Sequence, residues 1–556
     1  MPVVEVKLWD LERLTGASLD ESTVRDLLPR LKCEVEEVSG EDVVYEATHD
    51  RPDLYSAELL SVYLKGLLGV EDGLPRPRVG SAEGVAEVEG PAYRPYAFFA
   101  VVRGVSLDDE AIRQLMQLQE KVHLTYGRNR RKVSIGLYDL DGIKLPVRYV
   151  AASPETRMKP LGFAIEMTLR EVLEKHPKGV EYGHLVKGHG EYPLIVDAEG
   201  KVVSFPPITN SEDFRVTEST RDVLIDVTST DPEAGRRIIS LFAHAVAVRG
   251  GEVRPLRLKG ALDEESPRME PEEVVYDVSM NRDLLGLDLG VEETVRLLRA
   301  MRMDAEPAGN GKVAVRYPYF RVDILHPVDI AEEVAMGYGY ERIEPAVIPP
   351  LHPGREDPIE VFTRALREGM VGLGFVEVNN YMMTSASLMF DAMLLPRQPI
   401  VEVENPRHEA YHALRTWIVP QLLRLMSSSK HAGYPQRVFE AGDVAIPDES
   451  RDNRVREERR LAFAVAGKGV TLTDGLAALK GLFRQLGVSF KLEKAEHPSF
   501  IAGRVARVVT EAGDAGIVGE VHPQVLVNFG LEVPVVAGEL NVEVVMKCYL
   551  ARLGGA

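Results

Sequence analysis

LERLTGASLDESTVRDLLPRLKCEVEEV (Leu11–Val38) and RDLLGLDLGVEETVRLLRAMRMDAEPAG (Arg282–Gly309) repeat one pattern, and that repetition sets the organisation of the chain. Thr23-Val24-Arg25 in the first stretch falls on Thr294-Val295-Arg296 in the second. After a slip of one residue, Arg51-Pro52-Asp53 falls on Arg321-Val322-Asp323, and a helical pattern follows each triplet. Two copies of one small α/β fold are therefore expected, at 1–85 and 270–345. Between them, 86–265 mixes strand patterns such as YAFFAVVRGV and VLIDVTS with helical patterns at 110–123 and 233–248, which predicts an α+β domain. The Pro- and Gly-rich GLPRPRVGSAEG before it and the charged LDEESPRMEPEE after it read as linkers. A fourth region, 350–556, opens on the helical pattern VFTRALREGMVGLGF and the strand pattern VEVNNYMM.

Composition agrees with a multidomain α+β protein. At 556 residues the chain is longer than one core supports, and 45% hydrophobic with 27% charged residues is ordinary globular usage. The run IISLFAHAVAV (Ile238–Val248) stops well short of the roughly 18 apolar residues that span a bilayer, so it reads as a buried helix, with no membrane association. MPVVEVKLWDLERL carries acids early and has no basic flank, so no signal peptide is expected. Cys33 and Cys548, the only two cysteines, suit a reducing cytoplasm. A net charge of −20 excludes broad nucleic-acid coating, because phosphate binding is driven by Lys and Arg. RNA contact must then be local, and the basic run Arg128, Arg130, Arg131 and Lys132 is the place for it, or else a solvated surface loop.

Two side-chain constellations carry chemistry. Asp329, Glu332 and Glu333 stand at i, i+3 and i+4, with Asp323 ahead of them; four converging carboxylates suit Mg²⁺, a hard cation. The same spacing also makes a capping box at a helix start. His408-Glu409-Ala410-Tyr411-His412 fits the HExxH zinc pattern, in which two histidines one helical turn apart bind the metal, but it lacks a clear third ligand.

Five stretches, in order, resemble phenylalanyl-tRNA synthetase β subunits. They are HDRPDLYSAE (His49–Glu58), GRNRRKVSIGLYDLDGI (Gly127–Ile143), EYPLIVDAEGKVVSFPPITNSEDFRVT with VLIDVTSTD (Glu191–Asp231), RVDILHPVDIAEEVAMGYGYERI (Arg321–Ile343), and ENPRHEAYHALRTWIVPQLL with VFEAGDV (Glu404–Val444). The form is similar to the shorter archaeal and eukaryotic one, without an amino-terminal oligonucleotide-binding insertion or an added anticodon-binding domain. The resemblance implies that 86–265 is an editing domain that hydrolyses tyrosine wrongly attached to the phenylalanine tRNA. It points to PPITN and DVTSTD as the pocket, with Asn210, Ser211, Asp226 and Thr228 as candidates and His184 and His189 as conceivable bases. The bland alternative makes those segments a turn, a helix cap and a strand end.

The resemblance also implies Mg²⁺ on the four acids, an α subunit in an (αβ)₂ heterotetramer, and a carboxy-terminal domain with a degenerate class II antiparallel sheet. Class II chemistry needs a late arginine to neutralise departing pyrophosphate. VVAGELNVEVVMKCYLARLGGA contains no such motif, and Arg415 sits in what reads as a helical run, so ATP-dependent charging is assigned to the α subunit. A structural or RNA-docking partner without editing, and a zinc hydrolase built on HEAYH, are the rival readings. The purified chain alone is expected to show no phenylalanine-dependent ATP–pyrophosphate exchange; robust exchange without a partner would refute the assignment.

Overall fold

The two repeated stretches take the same succession of elements in the computed structural model, which describes residues 1–347 and 354–554. In the first, strand Val3–Lys7 is followed by helices Leu8–Thr15 and Glu21–Leu27, strands Cys33–Ser39 and Asp42–Ala47, and helix Ala57–Leu67. In the second, strand Glu272–Asp277 is followed by helices Ser279–Leu285 and Val291–Ala300, strands Asp304–Gly309 and Lys312–Tyr317, and helix Pro327–Tyr338. Each antiparallel three-stranded sheet places its last strand between the other two. Local chemistry repeats as well. The first helix of each copy ends at a left-handed glycine, Gly16 at φ 72° and Gly286 at φ 70°, where any Cβ would be strained. Alternate residues of the central strand, Val43 and Tyr45 in one copy and Val313 and Val315 in the other, are buried, as a half-buried strand requires.

The two Arg-x-Asp triplets meet. Arg51 Nε and Nη2 donate to the two carboxylate oxygens of Asp53 at 3.0 and 2.8 Å, and Arg321 Nε and Nη2 donate to those of Asp323 at 2.8 and 2.6 Å. Both guanidinium groups turn to one further carboxylate. Glu333 Oε1 pairs with Arg321 Nη2 and lies 3.6 Å from Arg51 Nη1. Tyr63, at the corresponding position of the first copy's last helix, presents its ring to Arg51 at 4.7 Å and to Arg321 at 5.9 Å. Arg51, Arg321 and Glu333 are buried.

Between the copies, an 11-stranded sheet is organised on strand Glu252–Gly260, which pairs parallel to Gly84–Glu89 and antiparallel to Tyr96–Arg103. Helix Pro232–Val248 starts on the Asp231 side chain, which accepts from Glu233 N–H at 3.0 Å, and buries the IISLFAHAVAV run in the core. Among the described residues no helix is long and apolar enough to cross a membrane.

Residues 1–347 and 348–556 form separate compact units. In the second, seven strands run in the order Val376–Glu377, Gln436–Pro447, Val455–Ala466, Val535–Asn541, Gly513–Val521, Phe500–Thr510 and Lys491–Lys494. All neighbours are antiparallel except the first pair. Leu461 and Phe463 point to the helices Pro358–Gly372, Leu472–Leu486 and Val542–Gly554, while Ala462 and Ala464 point to helix Val419–Ser428. This is the period-two alternation of a sheet covered on both faces.

One expectation and one rival reading fail here. Arg415 lies ahead of helix Val419–Ser428 rather than within it, buried, with Nη1 on Glu440 at 2.6 Å and Nε donating to the Asp443 carbonyl at 2.8 Å. HEAYH forms one tight turn, Glu409–Tyr411, instead of an α-helix, so its histidines do not share a helical face. His412 is engaged elsewhere, with Nδ1 2.6 Å from the Glu409 carbonyl and Nε2 accepting from Ala386 N–H at 3.4 Å. The zinc reading falls with the helix.

Removing the shared carboxylate leaves two buried cations short of a partner. Glu333→Gln is expected to lower unfolding free energy by about 3–5 kcal/mol in urea melts, with the same loss in Mg²⁺ and in EDTA. A loss confined to Mg²⁺ would instead assign Glu333 to a metal.

Candidate functional site

The pocket starts from a missing side chain. Strand Asp222–Ser229 runs beside Val133–Asp139 with Asp226 opposite Gly136. Because residue 136 has no Cβ, the Tyr138 ring leans across it and the Tyr138 hydroxyl donates to Asp226 Oδ1; a Cβ at 136 would collide with both groups. The same hydroxyl is 3.3 Å from Asn210 Oδ1, and Asn210 Nδ2 donates to the Leu137 carbonyl at 3.3 Å. Asp226 is 1% exposed. Burial pushes its carboxyl up to about 7, against the hydrogen bond from Tyr138 and the charge of Arg94.

Asp226 and Asn210, with Ser204 and Thr209, line a cavity of about 130 Å³ whose apolar walls include Ile135, Leu161, Pro206 and Ile208. An engineered cavity of roughly 150 Å³ holds one benzene ring, so this space suits a single aromatic side chain. The polar groups become more exposed toward Glu120 and Lys178, 41% and 38% exposed, which pair at 3.5 Å. The far end is buried at Asp226. The entrance carboxylate is ionised: burial opposes it, but His123 and Arg130 hold Glu120 down to about 2. Neither nearby histidine is a free base. His123 Nε2 accepts from Ile135 N–H at 2.8 Å, and burial lowers His123 to about 4. His176 has Nε2 3.1 Å from the Leu161 carbonyl while Nδ1 accepts from Lys178 N–H at 3.2 Å.

Of the four residues expected in the pocket, Asn210 and Asp226 line it, whereas Ser211 and Thr228 do not. Ser211 caps the short turn Glu212–Phe214. Thr228 lies two residues beyond Asp226 and accepts from Arg94 Nε at 2.9 Å. His184 and His189 are exposed and outside the cavity, His184 against the Glu181 carbonyl and His189 stacked on Tyr93.

The basic run divides in two. Arg128, Asn129 and Arg130 all take positive φ, from 51° to 64°, and this bend turns Arg130 inward while Arg128 and Arg131 stay exposed. Arg130 is buried over the Tyr182 ring, donating to the Pro207 and Ile208 carbonyls at 3.0 and 3.1 Å and to Glu120 at 2.7 Å. It holds the PPITN loop as part of the pocket and is not a free RNA-binding cation. Lys132 pairs with Asp231 at 3.3 Å. Sequence reading missed Gln119, Glu120 and His176, which are far from PPITN along the chain and carry no spacing signal.

The four acids proposed for Mg²⁺ do not form one ligand set. Asp323 and Glu333 belong to Arg321; burial opposes ionisation of Asp323, and Arg321 outweighs it. Glu332 pairs with Lys32 at 2.6 Å. Asp329 accepts from Leu325 and His326 N–H, both at 2.7 Å, completing a capping box with His326 at the N-cap. The donors available as arranged do not fit a shared cation.

Family models match three segments: the B3/4 domain at 105–245, the tRNA synthetase B5 domain at 274–340 and the phenylalanyl tRNA synthetase beta chain CLM domain at 343–542. The chain is 42% identical over 549 residues to the phenylalanine–tRNA ligase beta subunit of Pyrococcus furiosus, covering 97% of this chain and 99% of that one. The chain belongs to the phenylalanine–tRNA ligase β-subunit family. The member from Korarchaeum cryptofilum is 41% identical, over 98% of this chain and 99% of its own. A crystal structure of an amino-terminal fragment of the Pyrococcus horikoshii phenylalanyl-tRNA synthetase beta subunit matches with a TM-score of 0.59 at 41% identity, covering 61% of this chain and 99% of the fragment.

The Asp226 carboxyl makes stability depend on pH with a definite sign. Its ordinary value is 3.8 and its folded value about 7, so between those limits the folded state holds a proton that the unfolded state has lost. This contribution to stability is complete below about 4, declines as pH rises, and is gone above about 7. Urea melts of Asp226→Asn against the parent should show a smaller loss of stability across that window; parallel curves would refute the buried protonated carboxyl.

Proposed function

We propose that the chain is the β half of an (αβ)₂ phenylalanine–tRNA ligase of the cytoplasm. On this reading its middle domain hydrolyses tyrosine mistakenly esterified to the phenylalanine tRNA, while the α subunit performs ATP- and Mg²⁺-dependent charging. The observation that carries the editing reading is the one-ring cavity closed at its buried end by Asp226 and Asn210.

A tyrosyl side chain entering ring-first brings its phenol hydroxyl to that end, where Asp226 accepts a hydrogen bond and Asn210 stands alongside. Phenylalanine brings no hydroxyl, so the hydrogen bond to Asp226 is not made. Sites built to bond a hydroxyl discriminate against analogues lacking it by up to ~10⁴–10⁵, whereas an apolar pocket rejects an added hydroxyl only ~100-fold. The charging reaction therefore needs this second selection.

In the hydrolysis, water adds to the ester carbonyl and the bond to the tRNA ribose oxygen breaks, releasing tyrosine and free tRNA. With both neighbouring histidines engaged, the cavity acts by positioning: Glu120 and the loop carbonyls held by Arg130 orient water and ester near the entrance. Arg128 and Arg131, exposed on the adjacent loop, are the cations left to meet the tRNA backbone.

In the αβ complex, Asn210→Ala and Asp226→Asn are each expected to slow hydrolysis of tyrosyl-tRNA at least ~10-fold, equivalent to ~1.4 kcal/mol, with phenylalanine charging nearly unchanged. Unchanged hydrolysis in both variants would leave this cavity without the editing role and favour a purely structural or RNA-docking subunit.

A further inference from the structure

The sheets of the two repeats share one edge geometry, and it is covered in the first copy only. There Glu5, opposite Val44, turns its N–H and C=O away from the sheet. Helix Asp109–Leu124 of the middle domain meets both groups: Gln117 Oε1 accepts from Glu5 N–H at 3.0 Å, and Gln114 and Gln117 Nε2 donate to the Glu5 carbonyl at 2.8 and 3.0 Å. Two salt bridges seat that helix, Arg113 on Glu5 at 3.0 Å and Arg13 on the capping residue Asp108 at 2.6 Å. In the second copy Val275 stands opposite Ala314 as Glu5 stands opposite Val44, so its N–H and C=O also face outward. Among the described residues nothing bonds to them. The place of Glu5 is taken by an apolar side chain, 51% exposed. Counted back from the helix-ending glycines Gly16 and Gly286, the place of Arg13 is taken by Asp283, so both contacts that would seat a helix are gone. The other edge of this sheet, strand Asp304–Gly309, is closed to pairing by Pro307, which has no N–H, and by the register shift beside it. The edge at Val275 has neither obstacle.

We propose that the outer edge of strand Glu272–Asp277 docks an extended segment of a partner protein, which adds as a fourth strand and carries basic side chains two residues either side of an apolar one. Main-chain hydrogen bonds to Val275 hold such a segment, and the flanking charges select it. Glu273 and Asp277 lie on the same face of the strand as Val275. Their neighbours across the existing ladder are basic: Arg316, which pairs with Glu273 at 2.9 Å, and Lys312. A strand on the open side continues this alternation with Lys or Arg opposite each acid and an apolar residue opposite Val275. A second copy of this strand, paired antiparallel about Val275, would set Glu273 against Asp277 and be repelled.

Fluorescence anisotropy of the full chain with the labelled, end-capped peptide Thr-Lys-Thr-Val-Thr-Lys-Thr as the probe tests this. Saturable binding is expected. Glutamate in place of both lysines, or N-methylation of the central valine, should each weaken it at least ~10-fold. The methyl group removes one main-chain donor and leaves the peptide's charge unchanged, which separates strand addition from plain attraction to acids. Val275→Lys, at an exposed position, should weaken binding by a similar factor through repulsion of the peptide's lysines. Val275→Pro should do so by removing the outward N–H while the ladder to strand Lys312–Tyr317 stays intact. The proposal is overturned if binding does not saturate, if the acidic or N-methylated peptide binds as well, or if both Val275 variants bind like the parent. It is overturned in favour of a second copy if the chain sediments as a dimer that Val275→Lys dissociates.

Discussion

Two buried guanidinium groups facing a single glutamate impose the tightest constraint on the amino-terminal unit. Each of Arg51 and Arg321 has an aspartate two residues away in its own repeat, so each repeat neutralises its own arginine. What joins the repeats is Glu333, which both arginines approach, and Tyr63, whose ring faces both. Buried charges are tolerated only when paired with good geometry, and that geometry exists only with both repeats present. A second buried cluster, Arg249 with Asp10 and Glu58, ties the first repeat to the end of helix Pro232–Val248. The middle domain is thus held at its margins by ion pairs whose partners are remote in sequence.

That rigidity serves a pocket defined as much by omission as by contact. Gly136 makes room for Tyr138 to reach Asp226, and three consecutive positive-φ residues turn Arg130 from the surface run into the wall, where it clamps the Pro207 and Ile208 carbonyls. The outcome is a carboxyl shielded well enough from water to keep its proton far above its ordinary range, at the end of a space one ring wide. Such a group can accept a hydrogen bond from a phenol, a task for which a solvated carboxylate, already satisfied by water, gives little selectivity.

Much of this was legible along the chain. The paired triplets and the helix-forming stretches are local signals, set by side-chain size and periodicity, and they carried the repeat and the α+β alternation directly. Asn210 and Asp226 were reachable through the resemblance of the PPITN and DVTSTD segments to the family. The same local reading placed Arg415 in a helix, because apolar spacing does not show where a strand or a turn intervenes.

What the sequence by itself determined, then, is which segments form helices and strands, that one unit occurs twice, and which polar residues interrupt the apolar pattern. Only the tertiary structure decided which of those residues share a partner. It gave Asp323 and Glu333 to Arg321, Glu332 to Lys32 and Asp329 to a helix start, where spacing alone had offered all four to one ion. It also brought Glu120 and His176 to Asp226. Pairing between charges depends on separation and burial, quantities that spacing along a chain constrains within a helical turn and not across a fold.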